Sequence, residues 1–288
     1  MIQGLPVTSV GVLANPEKEA VERIILDLIR LLEERKLTFH LADDLIPLVG
    51  LKEKSCPVSE LRDIVEMVIA LGGDGTILAA ARAIGPNSVP ILGVKLGGLG
   101  FLADITPEEL PETLDKVKSG RYKVSERMTL EMSVGGAIQY ALNDIVIDKG
   151  ASPRILDLAL YVGGDYVNTS TADGLIISTP TGSTAYSLSV GGPIVHPSMQ
   201  AMILSPICPH VLANRPMILS GTEPVEVVIM AARGEVKLTV DGQINFALRQ
   251  GDRIVVRKGS HAVRLVRSSH RNYFDVLRTK LRWGVRQG

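Results

Sequence analysis

An α/β domain followed by an all-β domain is the fold class that this 288-residue chain predicts. Two observations carry the expectation. Over the first third, short apolar runs alternate with stretches whose apolar residues recur at helical spacing, the pattern of a parallel sheet covered by helices. Beyond Gly120, short β-rich runs broken by turn residues take over. Residues 1–120 therefore read as an α/β (Rossmann-like) domain and 121–270 as a β domain. Residues 271–288 read as a tail that packs back on the first domain.

The elements follow in order. Val10, Val12 and Leu13 form a short strand that ends at Asn15 and Pro16. Val21, Ile24, Ile25, Leu28 and Leu32 then give one helical face. Residues 64–71, Ile-Val-Glu-Met-Val-Ile-Ala-Leu, read as a buried strand running into Gly72, and residues 76–84 as an alanine-rich helix. Ile91 to Val94 supply another strand and Pro107 to Lys118 another helix. In the second part, Ile145–Ile147, Leu156–Val162, Val225–Ile229 and Val236–Val240 are strand candidates. Asp241-Gly242 signals a tight hairpin, because both positions must tolerate positive φ. A last helix is expected over Asn272–Leu281.

Composition narrows the function classes. Lys plus Arg equals Asp plus Glu at 31 each, so no global field draws the chain to nucleic acid. Between Arg249 and Gly288 eleven basic residues face two acids, which serves either a polyphosphate substrate or an ordinary solvated surface. Cys56 and Cys208 form neither a C-x-x-C pair nor a disulfide framework, so a reducing cytoplasm is expected. No uninterrupted apolar stretch of about 18 residues occurs, and the N-terminus lacks a signal-peptide pattern; no membrane association is expected.

Chemistry concentrates in three places. Gly72-Gly73-Asp74-Gly75-Thr76 stands where a buried parallel strand meets a helix. Glycines there let the backbone approach phosphates, and the helix start presents N–H groups to them. A carboxylate beside phosphates needs a purpose, and a hydroxyl nucleophile attacking a phosphoryl group requires a proton acceptor. Asp74 is either that acceptor or a helix N-cap. The segment matches neither the P-loop nor G-x-G-x-x-G, since Leu78 takes the last glycine's place. Gly97-Gly98-Leu99-Gly100 either lines the same crevice or makes an ordinary turn.

The second place is Thr179-Pro180-Thr181-Gly182-Ser183-Thr184-Ala185-Tyr186, preceded by Thr171-Ala172-Asp173-Gly174 and followed by Gly191-Gly192-Pro193 and His196-Pro197. Its hydroxyls form a polar cradle or an elaborate loop that satisfies itself. The third is Asn143-Asp144, where an amide beside a carboxylate can read ribose or adenine edges or can simply precede a strand. The five histidines show no metal-ligand spacing, and no G-x-S-x-G elbow is present.

In this order and spacing, from about residue 68 to 243, these blocks resemble the ATP–NAD kinase family. Diacylglycerol, sphingosine and 6-phosphofructo kinases carry a similar first block. Thr179 through Ser189 resembles the NAD-binding signature alone. The resemblance implies a C-terminal β-sandwich, NAD bound between the domains, and a kinase that phosphorylates the adenosine ribose 2′-hydroxyl to give NADP. It makes Asp74 the proton acceptor, with Gly72, Gly73, Gly75 and Thr76 at the phosphates of ATP and Mg²⁺ held mainly by the nucleotide. It implies NAD contacts from Asp74, Gly75, Asn143, Asp144, Thr171, Asp173, Thr184, Ala185, Tyr186, Ser187, Leu188 and Ser189, with Arg154 and Gln243 outlying. It also implies a homo-oligomer, dimer or tetramer. Three positions depart from the family's usual pattern. Asp144 stands where glutamate is frequent, Thr171 where some members have arginine, and Lys95-Leu96-Gly97-Gly98 replaces an asparagine-containing form. The donor is ATP or inorganic polyphosphate. The rival classes are a lipid kinase, which the low aromatic content and hydroxyl block disfavour, and a nucleotide-sensing binder, which has no use for Asp74.

Overall fold

The computed structural model describes residues 2–283 except 19, 88, 151–154, 212 and 233. The chain divides into two units, Met1–Glu126 with Val263–Gly288, and Arg127–Ala262. Strands Lys123–Val134 and Arg253–Arg267 carry the chain across these divisions. A boundary inside a continuous strand has no loop signature in the sequence.

The first unit is built on a parallel sheet. Its strand order from one edge is Ser55–Cys56, Thr38–Ala42, Ser9–Ala14, Met67–Gly72, Ile91–Lys95, then the end of Arg253–Arg267, where Leu265 pairs with Ile91. All six residues of Met67–Gly72 are buried. Burial on both faces explains why Met67–Leu71 is continuously apolar. It starts later than expected: Ile64 closes the helix Val58–Ile64, is 45% exposed, and precedes the strand by a turn. Helix Val21–Glu34 presents Val21, Ile25, Leu28, Ile29 and Leu32 to the core. Helix Asp74–Ile84 buries Ile77, Leu78, Ala80, Ala81 and Ile84.

The returning segment is fastened to this unit by polar contacts. Arg267 pairs with buried Asp104 at 2.7 Å, and the Ser268 amide donates to the same carboxylate at 3.3 Å. Arg271 pairs with Glu109 and His270 meets Glu112. Helix Tyr273–Leu281 begins with a capping box, Asn272 accepting from the Asp275 amide while Asp275 accepts from Asn272. These two reciprocal bonds satisfy the Asn272 and Asp275 amides at the helix start.

In the second unit a six-stranded antiparallel sheet has the order Met217–Ser220, Ala201–Ile207, Gly174–Ser178, Asp144–Asp148, Val236–Val240, Ile244–Leu248. Strands Asp165–Ala172, Leu156–Val162, Val225–Ala232 and Arg253–Arg267 form a second layer in that order. One apolar cluster joins them, with Ile145, Ile177, Leu204 and Leu238 from the first sheet against Leu130, Leu158, Val227 and Ile254 from the other. The unit is therefore a β-sandwich. The Asp241-Gly242 turn is made with φ of 50° and 67°, as a three-residue connection between Val240 and Ile244. Among the described residues no helix is long and apolar enough to cross a membrane.

Candidate active site

Strand Ser9–Ala14 has its chain successor, Thr38–Ala42, on one side and the later strand Met67–Gly72 on the other. The order reverses at this point, and open α/β sheets bind ligands beyond the carboxyl ends of the strands there. Gly72-Gly73-Asp74-Gly75-Thr76 leaves the sheet at that end. Gly72 ends the strand and pairs in register with Lys95, and a methyl group on it would overlap the Thr76 hydroxyl at 2.1 Å. Gly73 is the residue before the helix, so the N-cap reading of Asp74 is corrected: Asp74 is the first helical residue. A methyl on Gly75 would meet nothing within 4 Å, so that side of the turn is open.

The Asp74 carboxylate reaches the second glycine cluster. Oδ2 accepts the Phe101 amide at 3.0 Å, and Oδ1 accepts those of Leu102 and Ala103 at 3.2 and 3.3 Å. A Cβ at Gly100 would fall 2.1 Å from Oδ1, so only glycine lets the loop close on the carboxylate. The two glycine blocks thus form one structure joined through Asp74. Sequence reasoning had left that connection open, since no spacing rule announces a contact across 27 residues.

In the second unit the hydroxyl block turns out to be largely self-satisfied. Thr179 donates to the Leu142 carbonyl at 2.6 Å and accepts the Gly182 amide at 3.0 Å. Ser183 donates to the Pro180 carbonyl and accepts from the Val195 amide. Ser187 is fully buried with its hydroxyl 2.8 Å from that of Ser205. Thr184 donates to the Thr181 carbonyl at 3.2 Å and stays half-buried, as do Ala185 and Leu188, while Tyr186 and Ser189 are exposed. The block is a scaffold that turns one edge outward.

Gly182 packs on Asn143 so tightly that a Cβ would stand 2.1 Å from the Asn143 carbonyl oxygen. The Thr179 amide donates to that same oxygen at 2.8 Å. Asp241 completes the anchoring: its carboxylate accepts the amides of Leu142, Asn143 and Asp144 at 2.8, 2.7 and 3.1 Å. Its role was missed from sequence, although the turn it begins was legible. Asp144 lies opposite Ser178 in the ladder and is 5% exposed. Burial, and then the Asp241 charge, push its carboxyl up to about 7. It is therefore poised between donor and acceptor near neutral pH.

Asp173 pairs with Lys149 at 2.7 Å. Burial, then the negative charges of Asp148, Cys208, Asp144 and Asp173, hold the Tyr186 phenol above its usual range. The Thr171 hydroxyl donates to Asp157 at 2.6 Å. Gln243 is exposed in the hairpin turn, and Arg154 lies outside the described residues. Among the described residues no three His, Cys, Asp or Glu side chains converge as a metal site.

A glycine turn at the switch point of a parallel sheet defines the class as nucleotide-handling α/β proteins, here extended by a β-sandwich. Comparison with known proteins narrows it. The models of the ATP-NAD kinase N-terminal and C-terminal domains match residues 10–122 and 142–268. NAD kinase of Geobacter sulfurreducens is 46% identical over 286 residues, 96% of this chain and 99% of that protein. NAD kinase of Geotalea daltonii is 47% identical over 265 residues, 88% and 93% respectively. Yeast NADH kinase, solved with NADH, superposes with a TM-score of 0.91 at 28% identity, covering 99% of this chain and 91% of that one. An NAD kinase from Archaeoglobus fulgidus, solved with ATP, gives 0.77 at 26%, covering 94% and 99%. The chain belongs to the ATP–NAD kinase family.

Proposed function

We propose that the protein transfers the γ-phosphoryl group of ATP to the 2′-hydroxyl of the adenosine ribose of NAD, giving NADP. The observation that carries this reading is near-full-length similarity to proteins named NAD kinase, through both the Gly72–Thr76 turn and the Asn143–Ser189 scaffold. The solved relatives, one holding NADH and one ATP, support the two ligand classes.

In this reading the turn Gly72–Thr76 takes the donor phosphates, its open glycine side admitting them without a steric barrier. Mg²⁺ bound to ATP would offset charge on the transferring oxygens. Asp74 accepts the 2′-hydroxyl proton, and its three backbone bonds hold the carboxylate in a fixed orientation. Phosphoryl transition states are loose, so such positioning contributes more than base strength. Asn143, Asp144, Asp173, Thr184, Ala185, Tyr186 and Ser189 make up the dinucleotide surface, with Leu188 at its margin. The buried Ser187 hydroxyl supports that surface from behind. A cytoplasmic homo-oligomer is part of the same proposal, checked by light scattering of the purified protein.

The test is a coupled assay with ATP, Mg²⁺, NAD and a dehydrogenase that accepts only NADP. NADP formation with no phosphorylation of diacylglycerol is the expected result. Lipid phosphorylation without NADP would overturn the assignment.

A further inference from the structure

We infer that Lys95 contacts the donor phosphates and sets the affinity of this enzyme for the polyphosphate chain of ATP. The inference rests on the kinase reading above and adds a residue to it. Lys95 ends the strand Ile91–Lys95, paired in register with Gly72, so the ladder delivers its side chain to the glycine turn. There its Nζ lies 3.1 Å from where a Cβ on Gly73 would stand. The ammonium therefore stands beside the bare backbone of Gly73.

Charge makes the placement informative. Among the described residues Lys95 forms no ion pair within 4 Å, although Glu109, Glu112 and Asp115 in the same unit all have basic partners. The nearby carboxylate, Asp74, is engaged by three backbone amides. A half-buried lysine at the mouth of an anion-compatible turn, held in no ion pair, matches a ligand carrying several negative charges. A lysine acts on phosphate as a point charge, so the contact reads the phosphate chain and not the base.

The experiment compares wild-type protein with Lys95→Met and Lys95→Arg. Kinetics supply KM for ATP and for NAD, and calorimetry with inorganic tripolyphosphate and with adenosine supplies binding without turnover. Losing one charged contact to phosphate weakens binding roughly ten- to hundredfold. Lys95→Met is expected to raise KM for ATP and the Kd of tripolyphosphate by that factor. KM for NAD and adenosine binding should stay within about twofold, and Lys95→Arg should retain most of the affinity. A folded Lys95→Met protein that binds tripolyphosphate as tightly as wild type overturns the assignment and leaves the kinase reading standing. A parallel rise in both KM values also overturns it, by assigning Lys95 to the acceptor's pyrophosphate or to general structure. Wild-type protein that makes no NADP overturns the reading on which the inference rests.

Discussion

Asp74 and Asp144 are both carboxylates at a proposed site, yet their surroundings prepare them differently. Asp74 is fixed by amides from Phe101, Leu102 and Ala103. Asn at this position retains one acceptor oxygen, enough for Leu102 and Ala103, but turns its NH₂ toward the Phe101 amide and cannot take a proton. Asp74→Asn should lower kcat by about 10²–10⁴, while NAD affinity by calorimetry stays near wild type. A variant keeping more than about a third of wild-type kcat would reduce Asp74 to a positioning residue for the 101–103 loop. Asp144 differs because its folded carboxyl titrates near 7, above the ordinary 3.8. A raised folded value stabilises the protein fully below the unfolded pKa, and that stabilisation is lost as pH rises through the folded one. Ligand-free protein should therefore lose stability between about pH 4 and 7, on the order of 4 kcal/mol from this group. Asp144→Asn should flatten that slope and be the more stable protein at pH 8. Equal slopes in urea titrations from pH 4 to 8 would contradict this account.

At the scale of elements, the hydroxyl block shows how a signature stretch divides its labour. Ser187 faces inward to Ser205, whereas Tyr186 and Ser189 face solvent from the same short helix, Tyr186–Ser189. Ser187→Ala should cost about 1 kcal/mol of stability and leave KM for NAD within twofold. A tenfold rise in KM with unchanged melting would instead place Ser187 on the ligand. Gly182 belongs to the opposite category, since its missing side chain is what allows the 179–183 turn to rest on Asn143. Backbone atoms cannot yield as a flexible side chain does, so Gly182 is required by a close approach.

For the molecule as a whole, the chain leaves the first unit at Glu126 and re-enters it at Val263, so both ends must be held by that unit. The Arg267–Asp104 pair is the buried part of the fastening, at 8% and 1% side-chain exposure. Removing one member of a buried pair strands the other's charge and costs about 3–5 kcal/mol. Arg267→Met should lower the melting temperature accordingly and expose the segment after Val263 to limited proteolysis. The double variant Asp104→Leu/Arg267→Met should recover much of that loss. A single variant within about 1 kcal/mol of wild type would show that other contacts hold the segment.

Read alone, the sequence determined the fold class, about half of the strands and helices of the first third, and the β-rich second part; Thr38–Ala42, Ser55–Cys56 and the helices Ile46–Val49 and Val58–Ile64 carried no clear signal. Each legible part is a local property: an apolar run, a helical period or a turn residue reports on its own neighbourhood. Only the tertiary structure decided which hydroxyls of the 179–189 block are buried and that Asp241 anchors 142–144. It also decided that Asp74 closes on the loop after Gly100 and that Lys95 stands over Gly73. Those facts depend on strand order and register. Sheet neighbours separated by tens of residues meet there, and no pattern within one segment encodes the meeting.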